Sequence, residues 1–119
     1  MYFDTHAHYD DAQFDSDRTA LLASMPENGV SLVLNPGCDT ASSETAVSLS
    51  QQFDFVYTAV GFHPHEAKGM DDTAFDRIKE LASELKVKAI GEIGLDYHYD
   101  LSPRDVQKDV FARQLELAR

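Results

Sequence analysis

The hexapeptide Phe3-Asp4-Thr5-His6-Ala7-His8 begins the strand–helix alternation that decides the fold, and it places two histidines where a short first strand ends. Side chains two residues apart on a strand point to the same side, so both rings can reach one ion. Histidine is the commonest metal ligand near neutral pH. The pair alone is a weak signal, because two partly exposed histidines in a loop give the same pattern. Its meaning depends on the sequence downstream.

Short apolar runs rich in β-branched residues alternate along the chain with longer stretches of helical periodicity. Strands are predicted at residues 1–3, 31–35, 55–60 and 88–90. The residues Phe75, Ile78, Leu81, Ala82 and Leu85 fall on one stripe of a helix predicted over 73–85.

The starts of the helices carry recognisable capping residues. Asp71 or Asp72 is the expected N-cap of the helix over 73–85, and Asp39 or Thr40 begins a helix that runs to about residue 52. Ser102 is expected to cap the last helix, with Pro103 at its first helical position. A first helix is expected between about residues 17 and 25.

Strands that alternate with helices imply a parallel sheet with right-handed crossovers. Four such βα units are half of an eight-unit TIM barrel, whereas a complete four-stranded, flavodoxin-like domain is the alternative. We favour the barrel: residues 1–119 are expected to be the N-terminal half of one (β/α)8 domain, interrupted within the fourth helix.

Charge and cysteine content limit the function classes. The formal net charge is -11, and we find no basic patch, which argues against a nucleic-acid partner unless some carboxylates bind cations. Cys38 is the only cysteine and suits a reducing cytoplasm, where we expect the protein to reside. No apolar run is long enough to span a membrane and no secretory signal is apparent, so no membrane partner is expected.

All the histidines lie in the predicted loops that follow strands, the loops that carry the active site of a βα barrel. They are His6, His8, His63, His65 and His98. Glu92 follows a strand that the sequence pattern predicts to be buried. Its carboxylate must therefore be paired or metal-bound if water is excluded from it. Gly91 and Gly94 would leave room for close backbone approach. A turn cap or a lysine pair explains Glu92 equally well when it is taken alone.

Other polar residues of these loops have less specific interpretations. His63 could face a pocket as a proton donor or a phosphate contact. His65 fits a solvated ring in a rigid turn, and His98 is either a surface residue or one that supports the site from behind. Asp96 could orient a ligand or brace its loop. The acids Asp10, Asp11 and Asp100 read as solvated, and Tyr97 and Tyr99 either line a pocket for a base or sugar or pack against their neighbours.

Three motifs in this order and spacing resemble the TatD family of metal-dependent hydrolases. They are the hexapeptide above, Gly61-Phe62-His63-Pro64-His65, and Gly91-Glu92-Ile93-Gly94-Leu95-Asp96-Tyr97. The similarity continues on the last helix through Gln107, Phe111, Gln114, Leu115, Leu117 and Ala118.

The resemblance implies a (β/α)8 barrel with two divalent metal ions (Mg, Mn or Zn) that hydrolyses DNA from its 3′ end with metal-activated water. His6 and His8 match metal ligands, Glu92 matches a catalytic carboxylate shared by both metals, and His63 matches a catalytic histidine that contacts substrate phosphate. The remaining ligands, two histidines and an aspartate, would lie beyond Arg119, in the half needed to complete the barrel. No obligate protein partner is inferred.

Two alternatives remain open at this stage. The same barrel and metals could cut an ester or amide, such as an aminoacyl ester. The excess of acidic over basic residues modestly favours this alternative substrate class. The chain could instead be an inactive fragment, or an α/β module that binds a partner through its open sheet edges.

Overall fold

The computed structural model describes residues 1–119 as one parallel sheet flanked by helices. The sheet has four strands in the order β1-β2-β3-β4, and all neighbouring strands are parallel. The strands are β1 Tyr2–Asp4, β2 Val30–Pro36, β3 Val56–Val60 and β4 Val87–Ile90. Sequential order without strand exchange is that of a barrel wall and differs from the reordered sheet of a doubly wound domain.

One α-helix follows each strand, as the sequence predicts. The helices are α1 Arg18–Ser24, α2 Thr40–Gln52, α3 Asp72–Ala82 and α4 Arg104–Leu117. Two short 3₁₀ helices, Ala12–Phe14 and Pro64–Gly69, lie in segments that the sequence pattern assigns to loops. None of the helices combines the length and the apolarity that a membrane span requires.

The apolar faces of the helices pack on the sheet in two buried clusters. One joins Val60 and Phe62 to Ile78 and Leu81 of α3 and to Val110 of α4. The other packs Leu22, Met25, Val33, Leu49 and Val56 together. Burial of such side chains contributes roughly 1.5–3 kcal/mol each, so these clusters fix how the strand ends are presented.

Two predicted caps are confirmed and one is wrong. Asp39 and Asp71 accept backbone N–H bonds at the starts of α2 and α3. Ser102 does not cap α4, because its buried hydroxyl accepts from the amide of Lys68 and donates to the carbonyl of His65. Pro103, at the N-cap position, precedes the first helical residue.

The predicted end of the third helix and the predicted burial of the fourth strand also differ from the structure. Helix α3 ends at Ala82, so Leu85 leaves the apolar stripe and is 85% exposed. Strand β4 is an edge strand in which Lys88 and Ala89 are exposed, so the strand before Glu92 is not buried on both faces.

The close backbone approaches occur at glycines other than those expected. A Cβ on Gly91 would make only ordinary contact, and Gly94 faces open space, where its φ of +151° favours glycine. The tight positions are Gly37, where a Cβ would overlap the Ser43 hydroxyl oxygen, and Gly61, where it would lie 2.9 Å from Gln114 Oε1. These two glycines bring the ends of β2 and β3 against the helices behind them.

Candidate active site

The ends of the two outermost strands converge at the carboxyl edge of the sheet. His6 Nε2 lies 3.1 Å from Glu92 Oε1, and His8 Nε2 lies 3.5 Å from Glu92 Oε2. The two Nε2 atoms are 3.2 Å apart. Strands β1 and β4 are separated by β2 and β3, so only a strongly curved sheet brings these side chains together. The side chains of His6, His8 and Glu92 therefore meet at one point, and their metal-binding role stays a prediction.

The spacing and chemistry of this cluster fit a divalent cation. Ligand atoms held about 2.0–2.2 Å from one ion in octahedral or tetrahedral geometry lie about 2.8–3.6 Å from each other, a range that includes the distances found here. One ligand atom from each of His6, His8 and Glu92 lies within 4.8 Å of the other two. Two imidazoles and a carboxylate suit zinc and the first-row transition metals, and the carboxylate also suits magnesium.

His8 lies beside a polar pair, Asp10 and Asn35, whose contact sequence reasoning missed. Asp10 Oδ1 lies 3.7 Å from His8 Nδ1 and accepts a 2.7 Å hydrogen bond from Asn35 Nδ2. Asn35 is fully buried, and its Oδ1 also accepts from the amide of Tyr9 at 2.7 Å. The interpretation of Asp10 as a solvated acid is therefore wrong. A buried asparagine at the end of β2 was the available signal, since buried amides need partners.

Cys38 lies beside the same carboxylate. Its thiol donates to Glu92 Oε2 at 3.3 Å, while its carbonyl accepts from the amide of His63 at 2.9 Å. Burial raises the pKa of the Cys38 thiol to about 12, and the hydrogen bond to Glu92 adds to the shift. The thiol is therefore protonated near neutral pH and is a poor nucleophile.

His63 begins the 3₁₀ helix Pro64–Gly69 and lines the same groove as Glu92. Its Nδ1 accepts the backbone N–H of His65 at 3.1 Å. Burial, with the nearby His65, lowers the pKa of His63 below its ordinary value. The neutral ring therefore carries its proton on Nε2, which makes it a hydrogen-bond donor.

Two buried glutamines of α4 hold the loops that carry these residues. Gln114 is fully buried and bonds the backbone of Phe62 twice, accepting its N–H at 2.7 Å and donating to its carbonyl at 3.1 Å. Gln107 makes the equivalent pair with Asp96, accepting its N–H at 2.8 Å and donating to its carbonyl at 3.0 Å. Helix α4 thereby fixes the loops after β3 and β4.

Asp96 braces its loop, which was one of the two roles open to it. Its carboxylate accepts the backbone N–H groups of His98, Tyr99 and Asp100, and its Oδ2 lies 3.1 Å from His65 Nε2. Burial raises the pKa of Asp96, but these three hydrogen bonds outweigh it, and the pKa lies below its ordinary value.

This lowered pKa predicts an acid-labile contribution to stability. A carboxyl group whose pKa is lower in the folded protein stabilises it above the ordinary pKa and loses that effect as pH falls. We expect Asp96→Asn to lower the melting temperature at pH 6, and the difference from wild type to shrink as the pH falls below about 4. Thermal melts across this range provide the measurement. A difference that is constant with pH would contradict the role of the charged form.

The remaining loop residues are exposed. His98 lies at the surface, as expected, with its ring centroid 4.6 Å from that of Tyr99. Tyr97 and Tyr99 are 41% and 66% exposed, so they are not packed in the core. The Arg104 guanidinium lies over the Tyr97 ring at 4.5 Å and pairs with Asp100. Asp11 caps the first 3₁₀ helix by accepting from the amide of Gln13.

Consecutive parallel βα units that gather histidines and a glutamate at the carboxyl ends of their strands are typical of barrel-type metal-dependent hydrolases. The chain belongs to the TatD-related DNase family, whose sequence profile matches residues 3–119. The predicted family and the predicted fold class, four βα units of a (β/α)8 barrel, are both confirmed.

Individual relatives agree with this placement. The chain is 41% identical over its full length to the uncharacterized metal-dependent hydrolase YabD of Bacillus subtilis, and covers 47% of it. It is 35% identical over 98% of its length to the 3′-5′ ssDNA/RNA exonuclease TatD of Cronobacter sakazakii, and covers 44% of that protein. The TatD homolog YjjV of Escherichia coli, solved as a crystal structure, superposes with a TM-score of 0.87 at 28% identity, over 98% of this chain and 46% of its own. The chain thus spans about half the length of these relatives.

Proposed function

We propose that the full-length protein is a divalent-metal-dependent hydrolase that cleaves phosphodiester bonds of DNA from the 3′ end. The convergence of His6, His8 and Glu92 on one point carries this proposal. The relatives named as 3′-5′ single-strand exonucleases support the choice of bond and substrate. The bond and the substrate are proposed for the whole protein, because this chain is about half as long as those relatives.

His6, His8 and Glu92 would hold the cations, with two ions in the complete site once ligands from outside this chain are added. A divalent ion there lowers the pKa of a water molecule and offsets the charge of the phosphodiester. His63 would donate its Nε2 proton to a phosphate oxygen and would not serve as a base, because its Nδ1 already accepts the N–H of His65.

Cations also reconcile a DNA substrate with the charge of the chain. A net charge of -11 repels a phosphate backbone, and bound divalent ions reverse the local field where the backbone must approach. We therefore expect binding to depend strongly on the metal.

We further propose that residues 1–119 form half of a single barrel domain that four more βα units complete. The open edges of β1 and β4 support this arrangement, since closure of a barrel removes both edges. The lone Cys38 supports a reducing, cytoplasmic location.

The function can be tested with the full-length protein and a 5′-labelled single-stranded oligonucleotide. We expect Mg²⁺ or Mn²⁺ to support stepwise shortening from the 3′ end, and EDTA to stop it. A parallel assay with an aminoacyl ester tests the alternative bond. Absence of EDTA-sensitive DNA cleavage, or faster cleavage of the ester, would overturn the proposal.

Asp10 should matter through His8. A carboxylate that orients a metal-binding histidine typically contributes about 10- to 100-fold to metal affinity. We expect Asp10→Asn to weaken Mn²⁺ or Zn²⁺ binding by about this factor in a calorimetric titration. Asp17→Asn is the matched control, since Asp17 is exposed and makes no side-chain cap bond. Equal affinities for the two variants would remove Asp10 from the site.

A further inference from the structure

The loop after β4 presents an exposed aromatic ring at the rim of the candidate active site. Tyr99 is 66% exposed, yet it lines the same groove as His63, His65 and Glu92. Its ring contacts with His65 and His98 are nearly perpendicular, at 86° and 82°, so neither neighbour stacks flat on it. An aromatic side chain that is neither buried nor stacked can accept a planar ligand.

The backbone that carries this ring is held in place before any ligand arrives. The amide of Tyr99 donates to Asp96 Oδ2, and the same oxygen lies 3.1 Å from His65 Nε2. Gln107 fixes the backbone of Asp96 from the buried side. The backbone of Tyr99 is therefore connected through Asp96 to His65, in the 3₁₀ helix that His63 begins. A loop whose backbone is already ordered loses less conformational entropy on binding.

The net negative charge of the chain indicates why an exposed aromatic ring such as Tyr99 would contribute to DNA binding. With 10 basic and 21 acidic residues, this chain gains little from neutralising phosphates along a DNA strand. Proteins that bind single strands use a second source of affinity, the stacking of bases on aromatic side chains. Tyr97 is less available for this, because the Arg104 guanidinium already covers one of its faces.

We propose that Tyr99 is the nucleobase-stacking residue of this site and binds a base next to the phosphodiester being cleaved. This inference rests on the proposed nuclease function. A base can reach the ring only when it is unpaired, so Tyr99 would favour single-stranded over duplex DNA. Stacking on any base face is sequence-tolerant, and the site would accept all four bases.

The test uses the full-length protein with Mn²⁺ and oligothymidylates that carry an abasic residue at either of the two 3′-terminal positions. We expect wild type to show a KM roughly five- to hundredfold higher for at least one abasic substrate than for the intact strand. Tyr99→Ala should raise the KM for the intact strand by a similar factor, leave kcat within about twofold and remove the discrimination against the abasic strand. Tyr99→Phe should keep it.

Tyr2→Ala is the matched control, since Tyr2 is 72% exposed at the start of β1, at the opposite end of the sheet. If wild type cleaves the intact strand and both abasic strands equally well, the stacking role is wrong. It is also wrong if Tyr99→Ala discriminates between intact and abasic strands as wild type does. If wild type cleaves no DNA with any metal, the proposed function fails, and the inference falls with it. The two failures are therefore distinguishable.

Discussion

Replacement of Glu92 by glutamine is expected to reduce DNA cleavage by the full-length protein by about thousandfold or more, since electrostatic stabilisation by a bound metal is worth several kcal/mol. Glutamine keeps the size of the side chain but removes the charge that would balance a cation held with His6 and His8 in the proposed site. The carboxylate oxygens lie 3.1 Å from His6 Nε2 and 3.5 Å from His8 Nε2, so the lost charge is at the centre of the cluster. Cleavage rates and Mn²⁺ titrations of the purified variant measure the effect.

Glu27→Gln is the matched control, because Glu27 is exposed in the turn after α1, at the other end of the sheet. Circular dichroism should show that both variants are folded. If Glu92→Gln retains more than a tenth of wild-type activity, the proposed metal site is wrong. If it loses activity but binds Mn²⁺ as wild type does, Glu92 acts on the substrate and does not hold the ion.

Gln114→Leu is expected to cause a large loss of stability for a polar substitution. Leucine fills nearly the same volume but leaves the N–H and C=O of Phe62 without partners in a fully buried place. Each unsatisfied buried group costs about 1–3 kcal/mol, so we expect the free energy of unfolding to fall by about 2–6 kcal/mol. Urea denaturation of the full-length protein gives this value.

Gln51→Leu controls for the change of residue type, since Gln51 is an exposed glutamine of α2, and it should stay within about 0.5 kcal/mol of wild type. A loss below about 1 kcal/mol for Gln114→Leu would mean that water or a rearranged loop satisfies the Phe62 backbone. His63 follows Phe62 directly, so we also expect this variant to lose activity at temperatures below its melting point.

The strands and helices were accessible from the sequence because their signals are local. The β-branched runs gave the strands to within about two residues, and Asp39 and Asp71 marked helix starts through short-range side-chain bonds. Ser102 failed as a cap because a distant 3₁₀ helix competes for its hydroxyl, through Lys68 and His65. Sequence patterns near Ser102 contain no information on that contact.

The site residues show the same difference between local sequence signals and contacts made only in the folded chain. Three of them, His6, His8 and Glu92, were found because the end of a barrel strand is a predictable place, although their metal-binding role stays a prediction. Asp10 was missed because its partner Asn35 belongs to the next βα unit, and only the folded sheet brings their side chains together. The sequence showed that His63 precedes Pro64. It did not show that the backbone N–H of His65 donates to His63 Nδ1 and so leaves the ring proton of His63 on Nε2.

The separation of His6 and Glu92 along the chain, at the ends of the first and fourth strands, has a consequence for biogenesis. A ribosome must deliver all four strands, and they must pair, before both side chains can share a cation. A nascent chain that ends before β4 has at most the two imidazoles of the first loop and cannot compete for metal through the full cluster. Metal uptake through the proposed three-residue cluster would therefore report that β1 to β4 have paired.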